Sequence, residues 1–265
     1  MIALEDIHVT FNKGTPLEAQ ALRGVNLTVE TGQFLTVIGS NGAGKSTSLN
    51  VMAGTIPVES GRVKVNDLDI TKLPVHKRAG VISRVFQDPR LGTCEDLSIL
   101  ENFAVACGRT APRGLRAAVN EQIRLEAAKR LSILDLGLEK RLDDKVGLLS
   151  GGQRQAVSLI MATTGPTQVL LLDEHTAALD PKTADFVMHI TRSIVSELNL
   201  TAIMVTHSMA QALDTGNRTV MFHQGKIIFD VSGDERAQMQ VPDLMALFRK
   251  NSHSEITDDA LLLAH

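Results

Sequence analysis

The sequence predicts an α/β protein in which a parallel sheet carries an inserted helical segment. Short apolar runs such as FLTVIG, VLLLDE and TAIMVTH have the length and composition of buried parallel strands. Segments with helical periodicity separate these runs, and such alternation is typical of α/β folds. Between roughly residues 97 and 144 the pattern is helical, and GRTAPRG breaks it into pieces. We therefore predict an α/β domain with a helical subdomain.

In the N-terminal third, alternation of apolar and polar residues predicts strands at ALEDIHVTF, LRGVNLTVE and GRVKVND. FLTVIG is followed by a helix from about Lys45 to Ala53, which Gly54 ends as a C-terminal cap. AGVISRVFQ predicts a further strand that leads into a loop.

In the C-terminal half, QAVSLIMATT is helical and stops at Gly165-Pro166. A second helix is expected from about Pro181 to Glu197, between the strands VLLLDE and TAIMVTH. TVMFHQGKIIFDV predicts a hairpin with Gln224-Gly225 in its turn. The tail from about His253 is polar and acidic before LLLAH, and we assign it no function.

The composition is that of an ordinary globular protein, with 43% hydrophobic and 22% charged residues among 265. A net charge of −3 predicts no broad basic surface for nucleic acid. No apolar run has the length needed to span a bilayer, and the N-terminus does not resemble a signal peptide. We therefore expect a cytosolic protein that acts at a membrane only through a partner.

A phosphate-binding loop is predicted at GSNGAGKST, which follows a strand and opens a helix as G-x-x-x-x-G-K-[ST] requires. Lys45 can reach the β- and γ-phosphates of a nucleotide, and Ser46 can offer its hydroxyl to Mg²⁺. A plain glycine-rich turn would not explain lysine and serine at these two places. The predicted ATP-binding residues of the loop are Gly39, Ser40, Asn41, Gly42, Ala43, Gly44, Lys45, Ser46 and Thr47.

The strand VLLLDE predicts the next part of the site. Asp173 and Glu174 follow its apolar residues, and the C-terminal ends of strands face the ligand crevice in open α/β sheets. Asp173 is placed to hold Mg²⁺ through water, and Glu174 can polarise an attacking water as general base. The alternative is that the two carboxylates only cap a strand end.

A second anion site is predicted at LSGGQRQ, about a hundred residues after the loop. Ser150 is a good N-cap for the following helix, and a helix N-terminus binds anions. Gly151 and Gly152 would allow close approach to the main chain.

Taken in chain order, the phosphate loop, LSGGQRQ and VLLLDE resemble the motifs of one family, the ATP-binding subunits of ABC transporters, and the resemblance covers about Met1 to Phe248. The resemblance implies a P-loop NTPase core with a RecA-like parallel sheet and an N-terminal antiparallel β subdomain. It also implies a helical subdomain at about 90–148, within a single domain of residues 1–250 followed by a tail of residues 251–265.

The resemblance implies further site residues. Gln87 in VFQDP would lie between the core and the helical subdomain and near Mg²⁺, together with Ser46 and Asp173. Asp180 in AALD would lie at the dimer contact, and His207 in VTHS would contact the γ-phosphate and the attacking water. Phe11 would stack on adenine, although a phenylalanine in an alternating strand is also a common core residue.

In this family two subunits enclose two ATP molecules. The signature motif of each subunit, here LSGGQRQ, faces the nucleotide that is held by the other subunit. The resemblance therefore implies that Ser150, Gly151, Gly152 and Gln153 serve the ATP of a second, identical subunit. It implies ATP and Mg²⁺ as cofactors. The implied partners are an integral membrane permease, which holds the chain at the inner face of the membrane, and a solute-binding protein.

His175 departs from the family pattern, because many relatives carry proline after the glutamate. We expect His175 to be a tolerated loop residue and give it no catalytic role.

The function predicted is ATP hydrolysis that powers uptake of a small organic solute. An amino-acid-like solute is expected, with aromatic amino acids as one option. The alternatives are an exporter with a separate permease and a soluble ABC ATPase of DNA repair or translation. A plain P-loop kinase would leave LSGGQ, Gln87 and His207 unexplained.

Overall fold

The structure is a computed structural model that describes residues 1–109 and 117–252. Its strands are β1 (Ile2–Phe11), β2 (Ala19–Val29), β3 (Phe34–Gly39), β4 (Ser60–Val65), β5 (Leu68–Asp69), β6 (Ile82–Val85), β7 (Val169–Asp173), β8 (Thr201–Val205), β9 (Arg218–His223) and β10 (Lys226–Ser232). Its α-helices are α1 (Lys45–Ala53), α2 (Val75–Arg78), α3 (Ile99–Cys107), α4 (Glu121–Ser132), α5 (Gly151–Ala162), α6 (Pro181–Glu197), α7 (Met209–Asp214), α8 (Gly233–Gln238) and α9 (Val241–Ser252).

The chain forms two compact units. Unit 1 consists of Met1–Arg78 and the described residues from Leu198 onward, and unit 2 consists of Ala79–Glu197.

Unit 1 contains an antiparallel sheet in the order β2-β1-β4-β5. Ile2 pairs with Val29 on one side and with Val65 on the other. Ile2, Leu4, Ile7 and Val9 of β1 are buried, as expected for a strand with one face toward a core. This sheet is the antiparallel β subdomain that was predicted at the N-terminus, and that prediction is confirmed.

Unit 1 also contains parallel strands around β3. This strand pairs in parallel with β8 on one side and with β9 on the other. Both Leu35 and Val37 are buried, which explains the uninterrupted apolar run. β9 returns as the antiparallel β10 through Gln224 and Gly225, with φ of 46° and 78°. Two consecutive positive φ values characterise the type I′ turn of a tight hairpin, so the hairpin prediction is confirmed.

In unit 2, β6 and β7 pair in parallel, with Ile82 opposite Val169 and Val85 opposite Leu172. The helices α1 and α6 have the bounds that the sequence predicts, whereas α5 ends at Ala162, before the expected stop at Gly165. Thr163 caps α5, because its amide bonds to the carbonyl of Leu159.

The described part of residues 90–148 contains helical segments and an isolated bridge between Ser98 and Lys145. The helical period predicted there is therefore confirmed, and the bounds of an inserted subdomain stay a prediction. The expected break at GRTAPRG falls largely on residues 110–116, and the tail from His253 also lies outside the described residues.

Candidate active site

The predicted phosphate loop connects β3 to α1 in unit 1, and the glycines at its two ends are required by space as well as by conformation. Gly39 has a φ of 142°, and a Cβ there would lie 2.2 Å from the Phe222 carbonyl oxygen. Gly44 has a φ of 104°, and a Cβ there would lie 2.6 Å from the Ala21 carbonyl oxygen. Gly42, with a φ of 72°, faces open space. The loop is therefore tightly held at both ends by neighbouring strands and open in its middle.

Lys45, the first residue of α1, turns its side chain back over this loop. Its Nζ donates to the carbonyl oxygens of Gly39 at 2.7 Å and Ser40 at 2.9 Å, and the residue is buried. A fixed ammonium beside a helix N-terminus provides positive charge from two sources. The loop is therefore suited to a phosphate group.

Two of the residues expected to bind Mg²⁺, Ser46 and Asp173, carry oxygen donors of the kind that this ion prefers. Ser46 lies in the first turn of α1 in unit 1, and Asp173 ends β7 in unit 2. Within the described residues no group of three or more His, Cys, Asp or Glu could hold a metal ion by itself. Mg²⁺ commonly takes one or two carboxylates and completes its shell with phosphate oxygens and water, so the chemistry of each of these two groups, taken by itself, is compatible with this ion.

Glu174, the predicted base, has a φ of 46°. This left-handed conformation is uncommon for a residue with a side chain and often marks a functional position. The preceding residue, Asp173, accepts a hydrogen bond from Arg84 Nη2 at 2.5 Å. Both residues are partly buried, which strengthens the electrostatic interactions of their carboxylates.

His175 lies in the turn after β7, as the expectation of a loop residue requires, but its side chain is buried. It is 2% exposed, and its Nε2 lies 3.0 Å from Thr191 Oγ1 of α6. Thr191 Oγ1 donates its proton to the Val187 carbonyl at 2.8 Å. His175 must therefore donate from Nε2 to that oxygen. Burial lowers the pKa of His175 to about 4, so the ring is neutral at pH 7.

The signature segment forms the start of α5. Ser150 is the N-cap, and it exchanges hydrogen bonds with Gln153 in a capping box. A Cβ on Gly152 would lie 2.0 Å from Thr183 Cγ2, whereas one on Gly151 would make an ordinary contact with Leu179 at 3.5 Å. Contact between α5 and α6 therefore accounts for Gly152, a reason that the sequence interpretation missed. Gly151 is exposed and stays the candidate for approach by an anion.

The residues 22–177 match a family model described as ABC transporter. The chain is 42% identical over 224 residues to a tyrosine transport ATP-binding protein of Clostridioides difficile, which covers 84% of this chain and 89% of that protein. It is 33% identical over 234 residues to an energy-coupling factor transporter ATP-binding protein of Clostridium tetani, covering 86% and 78%.

The chain belongs to the ABC transporter family. As an ABC ATPase subunit it binds and hydrolyses ATP, and this hydrolysis is coupled to transport. No helix within residues 1–109 and 117–252 has the length and apolar character of a membrane span.

Solved ABC cassettes share its fold. A dimeric cassette in a post-hydrolysis state, bound to ADP and phosphate, matches with a TM-score of 0.75 and 28% identity, covering 88% of this chain and 98% of that one. A nucleotide-free cassette matches with a TM-score of 0.75 and 26% identity, covering 93% and 95%. The predicted fold class is thus confirmed.

Other predicted site residues of the ABC subunit are distributed over both units. Phe11, at the end of β1, is 38% exposed, so it is a surface residue and not part of the core. His207 lies between β8 and α7, next to Thr206, whose hydroxyl donates to Gln211. Asp180 Oδ1 accepts a bond from the Thr183 amide at the start of α6.

A cleft of about 650 Å³ in unit 2 brings two of the predicted segments together. Gln87 and Gly151 both line it, together with Leu179 and Arg154. The segment around Gln87 (the glutamine segment) and the start of α5, the helix that carries the signature, thus share one surface of unit 2.

Three polar residues in unit 2 are functional candidates that the sequence analysis missed. Arg154, in the signature helix, is buried and donates to Glu95 and to the Gly147 carbonyl. Gln155 is fully buried and donates to the Phe86 carbonyl, next to Gln87, at 3.0 Å. Arg84 bonds to Asp173. The available signal was the presence of polar side chains within otherwise apolar helix and strand patterns.

Proposed function

We propose that this ABC subunit hydrolyses ATP to drive uptake of an amino-acid-like solute, with tyrosine as the first candidate, through a separate membrane permease. The observation that carries the proposal is the 42% identity to a protein named for tyrosine transport, over 89% of that protein's length. Relatives at 33% identity are named for phosphonate import and for spermidine and putrescine import, which favours uptake over export.

The chemistry proposed is ATP + H₂O → ADP + phosphate. Lys45 and the amides of the phosphate loop would bind the β- and γ-phosphates, and the contacts of Lys45 with the loop support this role. Glu174 would take a proton from the attacking water, while His207 contacts that water and the γ-phosphate. Phe11 would stack on adenine, which its exposure permits.

Ser46, Asp173 and Gln87 would hold Mg²⁺. When bound, the ion neutralises negative charge on the phosphates. The presence of one hydroxyl and one carboxylate supports this assignment, because Mg²⁺ retains water and phosphate oxygens among its ligands.

A second copy of the chain would supply the signature residues Ser150, Gly151, Gly152 and Gln153 to each ATP, with Asp180 at the contact between the copies. The likeness to a dimeric cassette bound to ADP and phosphate supports this arrangement. The pair would work at the cytosolic face of the membrane, beneath the permease, and a solute-binding protein would deliver the solute from outside.

The first test is to capture the tagged chain from detergent-solubilised membranes of its native cells and to identify co-purified proteins by mass spectrometry. We expect a multi-span protein in stoichiometric amount. Recovery only from the soluble fraction, with ribosomes or repair proteins, would contradict a transport function.

The solute is tested by reconstituting the captured complex in liposomes that contain ATP and Mg²⁺. We expect uptake of radiolabelled tyrosine that the Glu174→Gln variant abolishes. Unlabelled tyrosine, phenylalanine and spermidine serve as competitors, and inhibition by spermidine but not by tyrosine would contradict the amino-acid assignment.

A further inference from the structure

The carboxylate proposed to hold Mg²⁺ already has a cationic partner in unit 2. Arg84 Nη2 lies 2.5 Å from Asp173 Oδ2, and the two side chains are 13% and 15% exposed. Ion pairs with so little exposure to water are screened much less than surface pairs. The guanidinium is therefore a substantial part of the electrostatic environment of Asp173.

The strand register explains this contact. Arg84 in β6 lies opposite Leu171 in β7, and the pair is parallel. Side chains alternate between the faces of a strand, so Asp173, two residues after Leu171, lies on the same face as Arg84. The long arginine side chain spans the remaining offset along the sheet.

Arg84 has a second contact on the same face. Its guanidinium carbon lies 4.8 Å from the centre of the Phe86 ring, within the range of a cation–π interaction. Phe86 is adjacent to Gln87, and its carbonyl oxygen accepts a hydrogen bond from Gln155 of α5. A guanidinium that leaves Asp173 thus retains an aromatic partner beside the glutamine segment.

We propose that Arg84 is a counter-ion that competes with Mg²⁺ for Asp173, so that loading of the metal with ATP displaces the guanidinium from this carboxylate. Two cations near one carboxylate repel each other, and the divalent ion interacts with it more strongly. Arg84 thereby sets the Mg²⁺ concentration at which the nucleotide is held. This inference rests on the proposed Mg²⁺–ATP site.

The test measures nucleotide binding and not hydrolysis. A fluorescent ATP analogue is held at fixed concentration with the full-length chain, and Mg²⁺ is titrated. In Arg84→Gln, we expect the midpoint to fall by about tenfold, since a neighbouring arginine lowers the affinity of an aspartate for a proton by roughly one to three orders of magnitude and opposes a metal cation in the same direction. A midpoint equal to or above that of the wild type would overturn the proposal.

The matched control is Arg124→Gln in the same unit. Arg124 pairs with Asp143 at the surface, where the carboxylate side chain is 76% exposed. We expect this variant to keep the wild-type midpoint. A wild type that binds no analogue at any Mg²⁺ concentration would count against the proposed ATP site itself, which separates that failure from a failure of the Arg84 inference.

A second measurement follows nucleotide and metal binding in the wild type, and a variant is needed only to assign one resonance. With ¹⁵N-labelled arginine, the Nε–H resonance of Arg84 is assigned by its loss in Arg84→Lys. We expect it to shift when ATP and Mg²⁺ are added together and to shift less when ATP is added with a chelator. An unchanged resonance at saturating Mg²⁺ and ATP would overturn the proposal.

Discussion

At the scale of single residues, the two glycines of the signature have different physical roles. Gly152 leaves no space for a side chain, because a Cβ there would lie 2.0 Å from Thr183 Cγ2. A Cβ on Gly151 would contact, outside its own helix backbone and among the described residues, only the side chain of Leu179, at 3.5 Å. A substitution at Gly152 should therefore affect the stability of the fold, whereas one at the adjacent Gly151 should affect only the proposed approach of an anion.

We predict that Gly152→Ala lowers the free energy of unfolding by roughly 1–3 kcal/mol, the usual effect of overpacking. Gly151→Ala should leave it unchanged or raise it by up to about 1 kcal/mol, because alanine favours helix. Urea unfolding measures both.

The control for this prediction is Thr183→Ser, which removes the Cγ2 methyl but keeps the hydroxyl group that interacts with Asp180. Combined with Gly152→Ala it should restore most of the lost stability. A double variant as unstable as Gly152→Ala alone would show that contact with α6 is not the cause.

His175 gives the stability of the protein a dependence on pH. Its folded pKa of about 4 lies below the ordinary value of 6.5 because the ring is buried. Protonation therefore favours the unfolded chain. The neutral ring therefore contributes fully to the free energy of unfolding above pH 6.5. That contribution, roughly 3 kcal/mol, is lost as the pH falls toward 4.

We predict that this part of the pH dependence disappears in His175→Gln, which does not titrate. The measurement is urea unfolding of both proteins from pH 4 to pH 7.5. Parallel stability curves for the wild type and the variant would contradict the assignment of a buried neutral histidine.

At the scale of secondary structure, the carbonyl groups at the C-terminal ends of three helices accept hydrogen bonds from buried or partly buried arginine side chains. Arg78 donates to the carbonyls of Val51 and Met52 of α1. Arg109 and Arg236 contact the C-terminal carbonyls of α5 and α7 in the same way. Burial lowers the pKa of each guanidinium, but the ordinary value is so high that all three stay charged. Each arginine satisfies carbonyls that a helix end leaves without partners and complements the helix dipole.

We predict that Arg236→Met lowers the free energy of unfolding by roughly 2–4 kcal/mol, because it removes a charged donor from several buried acceptors. Arg236 Nη2 alone donates to the carbonyls of Ala212, Leu213 and Thr215. The exposed Arg249 provides the matched control, and Arg249→Met should change stability by less than about 0.5 kcal/mol. Equal effects of the two substitutions in urea unfolding would contradict this role.

At the scale of the whole molecule, the proposed mechanism requires two copies of the chain. We predict that Glu174→Gln binds ATP and Mg²⁺ without hydrolysing it and accumulates as a dimer, since removal of the base preserves the binding contacts. Size exclusion with light scattering measures the state of association. Lys45→Ala, which removes a proposed phosphate contact, should stay monomeric, and a Glu174→Gln variant that is monomeric with ATP bound would contradict the two-subunit site.

Features with local causes could be predicted from the sequence. Gly54 ends α1 with a φ of 81°, and Asp180 caps α6, so both helices have the predicted bounds. The contact of Arg84 with Asp173 could not be predicted, because it depends on the register of β6 against β7. The same holds for Gly152, whose neighbour Thr183 belongs to another helix. Sequence motifs identify the residues that carry out the chemistry. The side chains that contact those residues, such as Arg84, depend on how distant segments pack and cannot be read from the motifs.

The bond between His175 and Thr191 also limits how this protein can be recombined with its relatives. The imidazole occupies a closed space beneath α6, and its proton goes to a hydroxyl on that helix. A segment with proline after the glutamate would leave that space partly empty and remove the bond. Chimaeras between ABC ATPases should therefore take this segment and α6 from the same parent protein.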